Sequence, residues 1–102
     1  MFKIDPDPTF ETPVKIHVPG KGDGVIHVSF RYLDANARGA YVQSLGNKTN
    51  AEALAEVITG WREIDAPYSI ENLEKLLNRY DTAATAMFDA FFRESRGAPE
   101  KN

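Results

Sequence analysis

From Phe10 to Tyr32 the chain alternates between apolar and polar positions. Phe10, Thr12, Val14, Ile16 and Val18 fall on one side, and Glu11, Pro13, Lys15 and His17 on the other, the period of two that marks a half-buried strand. The same pattern returns with Ile26, Val28, Phe30 and Tyr32 against His27, Ser29 and Arg31. Between them Pro19-Gly20-Lys21-Gly22-Asp23-Gly24 reads as a loop, so an antiparallel hairpin is predicted over 10–32. Only registers that pair even positions with even ones keep both apolar rows on one face, for example Ile16 opposite Val28 or opposite Ile26. Pro13 has no amide hydrogen to donate, which assigns its strand to a sheet edge. A lone hairpin is marginal in water, so helices must cover the apolar face.

From Leu33 onward the period becomes helical, and helices are predicted over about 35–45, 50–62, 70–80 and 82–96. Asp34 caps the first, whose apolar side carries Ala37, Ala40, Tyr41 and Leu45, with Gly39 costing about 1 kcal/mol relative to alanine. Thr49 and Glu52 form a capping-box pattern ahead of Leu54, Val57, Ile58 and Trp61, which follow the spacing of one helical face. Trp61 is expected to close this second helix onto the third. Ser69 caps the third helix, with Ile70, Leu73, Leu76, Leu77 and Tyr80 on its buried side, and Asp81 caps the fourth. The fourth carries Ala84, Met87, Phe88, Phe91 and Phe92, ends with Arg93 and Arg96 near its negative dipole end, and stops at Gly97. Two Asp-Pro pairs make residues 1–9 an extended arm, and 98–102 are expected to form a flexible tail. The predicted class is α+β: an N-terminal two-stranded antiparallel hairpin packed on a C-terminal bundle of about four helices, in a single domain spanning 10–97. Its core anchors are Leu54, Val57, Ile58, Trp61, Leu73, Leu77 and Phe88.

Composition narrows the function. There are no cysteines, which excludes thiol catalysis, disulfides and thiolate zinc sites. The net charge of −3 is spread along the chain, whereas nucleic-acid binding draws on clustered Lys and Arg. No nucleic-acid partner is therefore expected. Neither a signal peptide nor a membrane span is read, so the expected location is the cytoplasm, without a membrane partner.

No catalytic, cofactor or metal site is predicted. The glycine-rich loop joins two strands and lacks the strand-to-helix setting and Gly-Lys-Ser/Thr ending of a phosphate loop. His17 and His27 would face each other if Ile16 paired with Val28, but a structural zinc needs four ligands. Asp5 and Asp7 are not followed by a calcium loop. The second and third helices suggest a helix-turn-helix with too long a turn and a carboxylate, Glu71, leading toward the phosphates. Phe91 and Phe92 point about 100° apart on their helix, so one surface need not bury both. Tyr68, Phe91 and Phe92 are thus the candidate protein-binding residues.

A resemblance carries the reading further. Ala51-Glu52-Ala53-Leu54-Ala55-Glu56-Val57-Ile58-Thr59-Gly60-Trp61, then Ile64-Asp65-Ala66-Pro67-Tyr68-Ser69, Asn72-Leu73 and Leu76-Leu77-Asn78-Arg79-Tyr80, are similar to the small tail assembly chaperones of long-tailed bacteriophages and prophages. So is the opening, Phe2-Lys3-Ile4-Asp5-Pro6 with Pro8-Thr9-Phe10 and Pro13-Val14; Asp81 departs from the proline of many relatives. The resemblance implies a protein with neither enzyme activity nor cofactor, which binds the tail tape measure protein and helps recruit tail tube protein. A homo-oligomer stays open beside these partners. The competing class is a small DNA-binding or antitoxin-like regulator.

Overall fold

Two long strands form where the alternation requires them. In the computed structural model, which describes residues 1–97, β1 (Thr9–Val18) and β2 (Gly22–Arg31) pair antiparallel. The turn between them is only Pro19-Gly20-Lys21, closed by the Lys21 N–H donating to the Val18 carbonyl at 2.9 Å. Proline followed by a glycine at φ 80° is the pattern of a type II turn. The predicted six-residue loop is thus too long, because Gly22 to Gly24 already pair. Ile16 consequently lies opposite Gly24, Val14 opposite Ile26, Thr12 opposite Val28 and Phe10 opposite Phe30. The even-with-even parity holds, while Ile16 meets neither Val28 nor Ile26.

The predicted second helix divides. Only Asn50–Ala55 is helical (α2, counting Ala35–Ser44 as α1), and Ile58–Arg62 forms a third strand, β3. The capping box is present, with the Glu52 N–H donating to Thr49 Oγ1 at 3.1 Å and the Thr49 N–H donating to Glu52 Oε1 at 2.8 Å. What stops the helix is composition: Val57, Ile58 and Thr59 are β-branched, and Gly60 follows, a run poor for helix and, apart from the glycine, good for strand. β3 pairs antiparallel with β2, giving the order β1-β2-β3. The fold is therefore α+β with a three-stranded antiparallel sheet, and the predicted two-stranded hairpin is its first two strands. β1 lies at an edge, as Pro13 requires.

α3 (Ile70–Arg79) and α4 (Ala83–Arg96) complete the chain, after a short 3₁₀ turn at Leu45–Asn47 and α2. The inner sheet face supplies Val14, Ile16, Ile26, Val28 and Phe30, packed against Leu54, Leu73, Met87 and Phe91. Leu54, Val57, Ile58 and Leu73 are buried, whereas Trp61, Leu77 and Phe88 are only half-buried against that core. Trp61 sits on β3 rather than on a helix. Its indole N–H donates to the Ala66 carbonyl at 2.8 Å, and its ring meets Tyr68 edge-on at 5.1 Å, so it fastens β3 to the segment leading into α3. Ile70 does not join the buried side of α3 but is 60% exposed.

Asp81 does not cap α4. Thr82 holds that position with helical backbone angles and no side-chain cap. Its Oγ1 instead accepts from the His17 N–H at 3.2 Å, tying the start of α4 to the end of β1. Gly97 ends α4 in left-handed geometry, φ 62°, with its N–H on the Arg93 carbonyl. The predicted tail, 98–102, lies outside the described residues.

Candidate docking surface

The apolar side predicted for α1 is mostly uncovered. Asp34 caps the helix, accepting from the Ala37 N–H at 2.8 Å, yet Ala37 and Ala40 are exposed and only Tyr41 is buried. Small alanines bury too little surface to hold a helix down, so Tyr41 carries the attachment. Its hydroxyl donates to the Ala53 carbonyl at 2.6 Å, and its ring lies 5.8 Å from Phe91 and 6.2 Å from Phe92. Burial, seconded by the Glu56 carboxylate, pushes the Tyr41 phenol up to about 12.

With Tyr41 the one buried residue of α1, a groove of about 580 Å³ opens between the helix and the C-terminal turns of α4. Val42, 49% exposed, Leu45 and Phe92 supply apolar surface, and Arg38 and Arg96 stand among its walls. Phe92 stacks on Phe88 at 6.4 Å, and the Arg96 guanidinium lies 5.8 Å from its ring, a cation–π distance. Among the described residues neither Arg38 nor Arg96 has a carboxylate within ion-pairing distance.

The three predicted binding residues are not brought together. Phe91 is fully buried, packed on Phe10, Phe30 and Tyr41, which removes it from any docking surface. Phe92 is half-buried in the groove. Tyr68 belongs to the connection between β3 and α3 and packs on Trp61; burial raises its phenol pKa against the opposing charge of Arg31. Sequence reading missed Arg38, Val42 and Arg96. Val42 lies off the row assigned to the buried side of α1, and that row's small side chains were the signal that the helix would be loosely held.

The outer face of the sheet is polar. Arg62 reaches across the central strand to hold Glu11 through two bonds, 2.9 and 2.7 Å, keeping the Glu11 carboxyl below the usual range. Glu63, at the strained φ of 67°, accepts from the His27 N–H and lies 2.9 Å from its ring nitrogen, which lowers the Glu63 pKa. The register places His17 opposite Asp23 and His27 opposite Pro13, so the two histidines do not face each other. Among the described residues no three metal-ligating side chains gather, and no helix is long and apolar enough to cross a membrane.

The groove between α1 and α4 is lined mainly by apolar surface, of the kind that takes a protein segment. Neither the comparison with curated proteins nor that with solved structures finds a match. A family model does match, over residues 1–102, the whole chain, and its description is phage tail assembly chaperone. The protein belongs to the phage tail assembly chaperone family.

Proposed function

We propose that the protein binds the tail tape measure protein during assembly, keeps it soluble and helps bring tail tube subunits to it, acting by binding alone in the host bacterial cytoplasm. The observation that supports this reading is the groove between α1 and α4, with apolar Val42, Leu45 and Phe92 between Arg38 and Arg96. A long helical client exposes apolar stripes that associate in water, and a groove of this kind takes one stripe in helix-in-groove fashion. The two arginines favour a client helix flanked by carboxylates, through contacts that set orientation and on-rate more than affinity.

Val42→Glu places a charge on the groove while altering a side chain already half in water. Co-expressed with the tape measure protein, the wild-type chain should keep it in the soluble fraction and co-purify with it. The variant, folded by circular dichroism, should lose that association by about tenfold or more, as a central apolar contact does. Unchanged co-purification would remove the groove from the mechanism.

A further inference from the structure

The N-terminal arm carries the most exposed apolar side chains of the molecule. Phe2 is 96% and Ile4 95% exposed, and Met1 is fully so. Lys3 stands between Phe2 and Ile4 and is paired with Asp7 at 2.9 Å on the surface, a pair worth little in water, while Asp5, directly after Ile4, has no ion-pair partner among the described residues. The arm thus presents apolar side chains followed by carboxylates, and the groove presents apolar side chains between arginines.

We infer that the arm of one copy seats in the α1/α4 groove of a second copy, with Phe2 and Ile4 on Val42, Leu45 and Phe92 and the Asp5 carboxylate toward Arg38 or Arg96. Prolines 6 and 8 favour the second copy over the arm's own domain. They fix the backbone and keep the residues before them out of helical geometry, so the root of the arm resists folding back. The root is anchored where the Tyr32 N–H donates to the Pro8 carbonyl at 2.8 Å, three residues before α1 begins. Seven residues ahead of Pro8 reach at most about 25 Å, ample for a groove along a helix about 15 Å long. Reciprocal exchange closes a two-fold dimer, whereas one-way insertion would leave an open chain of copies. Such a dimer covers the groove until a client displaces the arms.

The inference shares its groove with the preceding reading but not its client, and sedimentation equilibrium of the full chain alone tests it. The wild type should be a dimer at tens of micromolar, and the double variant F2S/I4S, which alters only side chains already in water, should raise the dimer Kd by about tenfold or more. Val42→Glu should do the same from the groove side. Mixing the two variants pairs an intact arm with an intact groove and should give a weak heterodimer that neither forms alone. A wild type that stays monomeric at hundreds of micromolar overturns the inference. So does a dimer indifferent to F2S/I4S, or a monomer whose arm is protected from proteolysis, which would mean docking within one chain. A client that fails to bind leaves the dimer result standing, and a monomer that binds its client leaves the preceding reading standing.

Discussion

Tyr41 fastens α1 through a ring among phenylalanines and a hydroxyl on a buried carbonyl, and the hydroxyl makes the attachment titratable. The phenol must stay protonated to donate to Ala53, and its folded pKa, near 12, lies above the ordinary value of 10.0. Between these values the unfolded chain has lost the proton that the folded one keeps. The stability tied to this group is therefore whole below about pH 10 and lost as pH climbs toward 12. Tyrosinate absorbance of the folded protein should show a late step near pH 12, absent from Tyr41→Phe, and a wild type without it would remove the argument. Tyr41→Phe should also cost about 1–2 kcal/mol at neutral pH, since Ala53 loses its donor. At this scale the sequence was half legible. It assigned Tyr41 to an apolar side correctly, but nothing in a pattern of apolar positions says which carbonyl a hydroxyl will meet. Phe91 and Phe92 make the same point: their 100° separation implies different surroundings, and only packing decides which ring is core.

Among the elements, the misread segment is 50–62, where Leu54, Val57, Ile58 and Trp61 match a helical face and yet α2 gives way to β3. Leu54, Val57 and Ile58 are buried in either arrangement, so burial periodicity could not separate the two. Local chemistry could have, because three β-branched residues and a glycine follow a short helix. Capping signals marked where helices begin more reliably than apolar spacing marked where they end, as Thr49 and Ser69 show, although Asp81 failed. The strand assignment has a consequence at Gly60, opposite Ser29 on the sheet's polar face. A Cβ added there meets nothing within 4 Å, so Gly60→Ala should stabilise by about 0.5 kcal/mol through a less flexible unfolded chain. Thermal denaturation checks this. A marked loss would mean that the β3 backbone needs glycine at this position.

Across the whole molecule, attachment is uneven. β1, β2 and α4 bury large side chains against one another, Val14, Val28, Phe30, Met87 and Phe91 among them, while α1 contributes one buried residue. Local opening follows buried apolar contact, and segments with little of it exchange amide hydrogens well before the global transition. α1 should therefore exchange earliest of the three longer helices, α1, α3 and α4, while α4 and the β1–β2 ladder exchange last and together. The unevenness also bears on function, since α1 forms one wall of the groove and a loosely held wall can move to fit an incoming helix. A segment that orders on binding loses entropy in doing so, so a bound client should slow exchange in α1 far more than in α4. Hydrogen exchange measured by mass spectrometry, with and without client, reads both effects in one experiment. An α1 as protected as α4 in the free protein would mean that contacts beyond Tyr41 hold it. Protection appearing on the β3 side instead, around Trp61 and Tyr68, would move the docking surface to the opposite candidate residue, Tyr68.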